Sequence, residues 1–160
     1  MNCALSHAQT ALDAGEFPVG CVMVLGNQII SSGQRENSSR KVNELDHAEM
    51  VALRNFYHKD LQDINMSDII VYSTMEPCLM CFASLIVNGV RKFVYSYEDV
   101  MGGGTNLPVS LLAPLYKDAR IYVEPHVLRP KSLKLFKEFF GSELNNYLKG
   151  SLLANYTLQQ

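Results

Sequence analysis

The chain reads as one α/β layered domain, in which strands and helices alternate behind an opening β-hairpin. Three observations predict this. Its 160 residues suit a single domain, 1–160, and are enough to bury a core. Its composition, 48% hydrophobic and 19% charged, is that of an ordinary folded domain. Short β-branched runs also alternate with longer segments that carry helix start and stop residues.

Residues 2–14 are rich in alanine and leucine and stop at Gly15, which suits the position after a helix end, so they predict the first helix. The apolar run 19–25, the turn Gly26-Asn27 and the run 28–32 predict the hairpin. Residues 33–45 are polar and irregular. Asp46 can then cap a helix that starts at His47 and runs to about Phe56. Residues 69–74 predict a third strand. Pro77 suits the first turn of a helix that continues to Asn88 and stops at Gly89. Lys92–Tyr97 and 120–123 predict two more strands, separated by a loop that holds Gly102-Gly103-Gly104. Residues 130–140 form an amphipathic helix closed by Gly141, with Phe136, Phe139 and Phe140 packing on the sheet. The core covers about residues 4–140, and 141–160 follow as a helical tail.

Composition excludes several classes. No apolar run reaches the length of a membrane span, and the N-terminus lacks the basic start of a secretory leader. Four cysteines, two of them in a C-x-x-C, suggest metal ligands in a reducing compartment, with the cytoplasm as the expected location. The net charge of −2 gives no global attraction to nucleic acid. Residues 117–149 hold seven bases and four acids, a tilt that a solvated helix face explains better than a binding surface.

The chemistry lies in His47-Ala48-Glu49 and in Pro77-Cys78-Leu79-Met80-Cys81, whose Cys78 follows His47 by 31 positions. His47, Cys78 and Cys81 are three zinc ligands by type, the number that leaves a fourth position open to water. Cys78 and Cys81 share a helix face, near a helix start where free N–H groups favour thiolate. Glu49 is not needed as a ligand. It can instead take a proton from water whose pKa zinc has lowered, and pass it on. The plainer reading of Glu49 is a helix-start carboxylate stabilised by the dipole. H-x-E followed by P-C-x-x-C is the signature of zinc nucleobase deaminases.

Glu16-Phe17-Pro18-Val19-Gly20, His47-Ala48-Glu49-Met50-Val51-Ala52-Leu53 and Met75-Glu76-Pro77-Cys78-Leu79-Met80-Cys81 together resemble the cytidine/deoxycytidylate deaminase superfamily. Within it they are most similar to the bacterial tRNA adenosine deaminase branch, over about residues 4–140. The resemblance implies a three-layer α/β/α fold with a five-stranded mixed sheet, one zinc ion per chain and a homodimer. It implies Glu49 as the catalytic acid/base, with Glu76 and Pro77 supporting the metal loop. Val19, Gly20 and Asn37 are implied as substrate contacts, although Val19 and Gly20 can equally be packing residues at a strand start.

Segment 35–46 and Phe82 depart from the tRNA branch, and they keep the substrate open. The first reading is adenosine in a tRNA anticodon loop, with Lys131, Lys134 and Lys137 meeting phosphates. The second is a free base, nucleoside or nucleotide: cytosine, guanine, cytidine or dCMP. A third, from another class, is a zinc-stabilised binding module without catalysis.

Overall fold

Helix α1 (Asn2–Asp13) buries Ala4, Leu5, Ala8 and Ala11 on one face, the spacing an amphipathic helix requires. It ends where predicted. The Gly15 N–H bonds back to the Leu12 carbonyl at 2.9 Å, and the Glu16 N–H to the Ala11 carbonyl at 2.8 Å. Together they close the helix in a Schellman arrangement.

Strands β1 (Gly20–Leu25) and β2 (Gln28–Gln34) pair antiparallel across the Gly26-Asn27 turn. Strand β3 (Ile70–Met75) pairs antiparallel with β1 on its other edge. Strands β4 (Lys92–Tyr97) and β5 (Tyr122–Glu124) then add in parallel. The computed structural model describes residues 1–39, 42–59 and 63–160. Within these the sheet is five-stranded and mixed, in the order β2-β1-β3-β4-β5. Parallel neighbours need crossovers. Helix α3 (Leu79–Val87) supplies the first, and a longer connection containing the short α4 (Pro114–Lys117) supplies the second.

Two glycines show how the layers approach the sheet. Gly20 pairs with Gln34 and Cys21 with Gly33, so Gly20 and Gly33 present opposite faces. Helix α2 (Ala48–Tyr57) lies over Gly33, where a Cβ would stand 2.5 Å from the Ala48 carbonyl oxygen. Helix α1 lies over Gly20, where a Cβ would stand 2.1 Å from the Ala4 carbonyl oxygen. Both distances are far inside van der Waals contact, so each helix backbone rests directly on a strand. On the α1 side, α5 (Arg129–Gly141) anchors through the Ser132 hydroxyl, which donates to the Thr74 carbonyl at 2.8 Å. The result is the three-layer α/β/α arrangement that the resemblance implied.

The C-terminal residues are part of this core. Helix α6 (Leu152–Gln159) packs on α5 and buries Leu153, Ala154 and Thr157. Thr157 Oγ1 meets the Tyr97 hydroxyl at 3.0 Å. Glu98 ties the region to α5. Burial alone would raise its carboxyl, but hydrogen bonds from Arg129 and Tyr156 outweigh that and hold it at about 2.

Several boundaries differ from expectation. His47, not Asp46, is the N-cap of α2. Asp46 sits in a 3-10 turn, Glu44–Asp46, and its carboxylate accepts from Asn37 at 2.7 Å and from Arg54 at 2.5 Å. Helix α3 begins at Leu79 with Cys78 as its N-cap, so Pro77 lies just outside it. Strand β5 starts two residues later than expected and ends one later, at Glu124. Of the segment 33–45, β2 takes the first two residues, while residues 40 and 41 lie outside the described residues. Among the described residues no helix is long and apolar enough to cross a membrane.

Candidate active site

Two helix starts and the end of β3 meet at one point. His47 leads into α2 with extended backbone, φ −61° and ψ 147°. Cys78 leads into α3 in the same way, at φ −66° and ψ 168°. Both residues thus stand at helix N-caps, and neither side chain is spent on a capping hydrogen bond. Cys81 lies one turn into α3 and is fully buried. His47 Nδ1 stands 3.5 Å from both Cys78 Sγ and Cys81 Sγ.

The spacing fits a metal. The three donor atoms lie within 4.8 Å of one another. Tetrahedral zinc with ordinary Zn–N and Zn–S bonds would hold N and S roughly 3.5 Å apart, which is the distance seen. The thiols are also prepared for it. The Cys81 thiol and His47 together hold Cys78 at about 4, against the opposing effect of burial. Cys81, which donates its proton to Cys78 and is buried, is pushed up in turn. Zinc takes both cysteines as thiolates, so binding would release the protons they still carry. Three donors of this kind leave one position for water.

Glu49 follows His47 by two residues and turns inward on the first turn of α2, where it is 3% exposed. Its Oε1 accepts from the Ser73 hydroxyl of β3 at 2.8 Å. Burial raises its carboxyl, and His47 opposes the shift. A carboxyl raised in this way takes up a proton more readily than a solvated one, as a proton shuttle must.

These groups open on a cavity of about 250 Å³. That is small beside the roughly 300–1,000 Å³ of pockets for drug-sized ligands, and suits one small planar group. His47, Glu49 and Cys78 form one wall, and Phe17, Val19, Met75 and Leu153 supply apolar surface. Arg35, Glu44, Tyr147, Asp99, Met101 and Gly102 complete the lining.

The other predicted residues divide. Val19 reaches the cavity wall. Gly20 does not, because it serves the contact with α1 and donates its N–H to Thr74 Oγ1 at 3.0 Å. Asn37 also lies outside the wall. It stands in left-handed backbone, φ 53°, and donates its amide to Asp46. Glu76 and Pro77 stitch the glycine loop to the metal loop. Glu76 accepts from the Thr105 hydroxyl at 2.5 Å and from the Asp99 N–H at 3.2 Å, and the Pro77 carbonyl accepts from the Gly104 N–H at 2.9 Å. Gly103 is needed there, since a Cβ would lie 2.5 Å from the Glu76 carboxyl. Lys131, Lys134 and Lys137 lie on α5 and none lines the cavity. Sequence reasoning missed Arg35, Glu44, Tyr147 and Asp99. Only Glu44 carried a signal, its three-residue spacing from His47.

A three-layer domain with an open His-Cys-Cys site and a buried glutamate beside it has the parts of a hydrolytic zinc enzyme. The model of the cytidine and deoxycytidylate deaminase zinc-binding region matches residues 1–97. The chain belongs to that family and is a zinc-dependent hydrolytic deaminase. A tRNA-specific adenosine deaminase 2 from Xenopus laevis is 38% identical over 95% of this chain and 90% of its own length. A tRNA-specific adenosine deaminase from Aquifex aeolicus is 30% identical over 92% of this chain and 96% of its own. Among solved structures, one from a study of A-to-I editing by tRNA:A34 deaminases superposes with a TM-score of 0.68 at 24% identity, over 84% of this chain and 96% of that one. A guanine deaminase from Nitrosomonas europaea superposes equally, with a TM-score of 0.68 at 20% identity, over 86% of this chain and 81% of that one. At such identities these two structures speak for the fold alone.

Proposed function

We propose that the protein deaminates adenosine to inosine in tRNA, with His47, Cys78 and Cys81 holding one zinc ion and Glu49 moving the protons. The observation that carries the chemistry is the buried Glu49 sharing a cavity wall with two of the three donors. Support for the substrate comes from relatives of that printed activity that align with nearly the whole chain, from a vertebrate and from a bacterium. Zinc at this site supplies Lewis-acid activation of water at neutral pH. Glu49 accepts a proton from the attacking water and delivers it to the ring nitrogen next to the reacting carbon. It then delivers the second to the departing amino group, so that one water is consumed and one ammonia released. Ser73 keeps the carboxylate aimed through its 2.8 Å hydrogen bond. Val19 and Phe17 offer the base an apolar surface, which excludes bulk water from the reacting carbon.

The target adenosine must leave the stack of its loop to enter the cavity. Phosphates on either side then need cations beyond the rim, for which Lys131, Lys134 and Lys137 of α5 are the proposed set. The substrate is tested by one panel: inosine formation in an anticodon stem-loop, against ammonia release from cytosine, guanine, cytidine and dCMP. Inosine is expected, with binding that weakens steeply as salt rises. Turnover of a small base with no inosine would replace the tRNA reading by the free-base one. Silence on every substrate, with zinc fully bound, would favour a binding module.

The working form is proposed as a cytoplasmic homodimer. An apolar surface along α3 and the 107–116 segment supports the dimer, since Leu79, Val87, Leu112 and Leu115 are each 45–56% exposed there. Sedimentation at micromolar concentration is expected to give twice the mass of the 17.9 kDa chain. The mass of a single chain would refute the dimer.

A further inference from the structure

Glu44 is the meeting point of three side chains from distant parts of the chain. Its Oε2 lies 3.1 Å from His47 Nε2 and accepts from Arg35 Nη2 at 3.0 Å. The Tyr147 hydroxyl donates to the same oxygen at 3.1 Å. The Arg35 guanidinium also lies over the Tyr147 ring, 5.5 Å from its centre.

This cluster has features that packing alone does not explain. Arg35 is 2% exposed, and its Nε–H has no partner among the described residues. A buried guanidinium that is incompletely paired weakens a fold relative to an apolar residue of similar size. The Glu44 side chain is 57% exposed, where an ion pair adds little stability. The arrangement does have one effect on the site. His47 faces both thiols with Nδ1 and Glu44 with Nε2. An imidazole that ligates through Nδ1 carries its proton on Nε2, and an acceptor placed at Nε2 selects that tautomer and holds the ring plane.

We propose that Glu44, itself held by Arg35 and Tyr147, is the positioning residue of the metal ligand His47, and that the C-terminal segment thereby takes part in retaining zinc. The inference rests on the reading of His47, Cys78 and Cys81 as the zinc ligands. It places the control of metal affinity in Glu44 and Arg35, and links it to a tyrosine 103 positions beyond Glu44.

The test uses the full-length chain with Glu44→Ala, Glu44→Gln and Tyr147→Phe. Zinc affinity is read by competition with a chromogenic chelator, and site geometry by the visible absorption of the cobalt-substituted protein. Glu44→Ala is expected to weaken zinc about 10–100-fold and to shift the cobalt spectrum. Glu44→Gln keeps an acceptor oxygen and is expected to weaken zinc less, and it decides the matter if the alanine variant fails to fold. Tyr147→Phe is expected to lose affinity in the same direction by a smaller factor. A purely structural role in holding Arg35 would lower the melting temperature of the metal-free protein and leave affinity and spectrum unmoved, which would overturn the proposal. Unchanged affinity in Tyr147→Phe alone would remove the C-terminal segment from it. A parent chain that takes up no zinc would refute the metal-site reading itself. A parent that binds one zinc, beside Glu44 variants that bind it equally tightly, refutes this inference alone.

Discussion

Glu49→Ala is expected to keep about one zinc per chain and to lose turnover by about 10³-fold or more. The size of the loss follows from the role. A positioned general acid/base contributes roughly 10²–10⁴-fold, and here one carboxylate serves both proton transfers of the reaction. The metal is retained because Glu49 is not among the three converging donors. Glu49→Gln is the sharper variant, since it keeps the volume and an oxygen to accept from Ser73 while removing the base. Its melting temperature should match or exceed that of the parent, because a carboxylate held at 3% exposure opposes folding. Metal analysis, ammonia release and thermal melting of the same preparations check all three statements. A glutamine variant within tenfold of the parent rate would move the proton shuttle elsewhere, and Glu44, Glu76 and Asp99 are the other carboxylates that line the cavity.

Cys78→Ser should release the zinc and unfold at a lower temperature. A serine hydroxyl does not ionise as the Cys78 thiol does, which its neighbours hold at about 4, and zinc needs the thiolate. A zinc ion held by His47, Cys78 and Cys81 would tie the start of α2 to the start of α3, so its loss would be felt by both helices. With zinc present at about 1,000 times its dissociation constant, binding adds about 4 kcal/mol. In a chain of this length that corresponds to roughly 10 °C in melting temperature. The same drop is expected when a strong chelator is added to the parent chain, and none when it is added to the variant. A serine variant that melts with the parent in both conditions would show that the metal site stands apart from the core.

The elements that sequence reasoning located were those whose cause is local. Helix α1 announces itself by alanine and leucine at three-and-four spacing and by Gly15. Strands β3 and β4 are runs of β-branched and aromatic residues. The convergence of the candidate donors His47, Cys78 and Cys81 was legible for a similar reason: ligand type and number are chemical requirements, and two short motifs carry them. The helix starts were less legible. Asp46 has the composition of a cap, yet Asn37, Asn43 and Arg54 claim its carboxylate, and His47 takes the cap position. Nothing in the spacing of residues 37–54 signals that competition.

Gly20 and Asn37 have structural roles that their motif positions did not signal. Motif position suggested substrate contacts, while the fold uses Gly20 to let α1 rest on β1 and engages the Asn37 amide with Asp46. Arg35 and Tyr147 went unread because each gains meaning from a partner up to 112 positions away.

By itself, then, the sequence determined the alternation of strands and helices, and it singled out the three side chains that converge as candidate metal donors and the carboxylate near them. These depend on side-chain chemistry and on periods of two and 3.6 residues, which are written along the chain. Only the tertiary structure decided that β4 and β5 add in parallel, that α6 belongs to the core, and that Glu44 joins His47 to Arg35 and Tyr147. Those facts depend on which segments bury one another's apolar surface, and a hydrogen bond between residues a hundred positions apart leaves no local pattern to read.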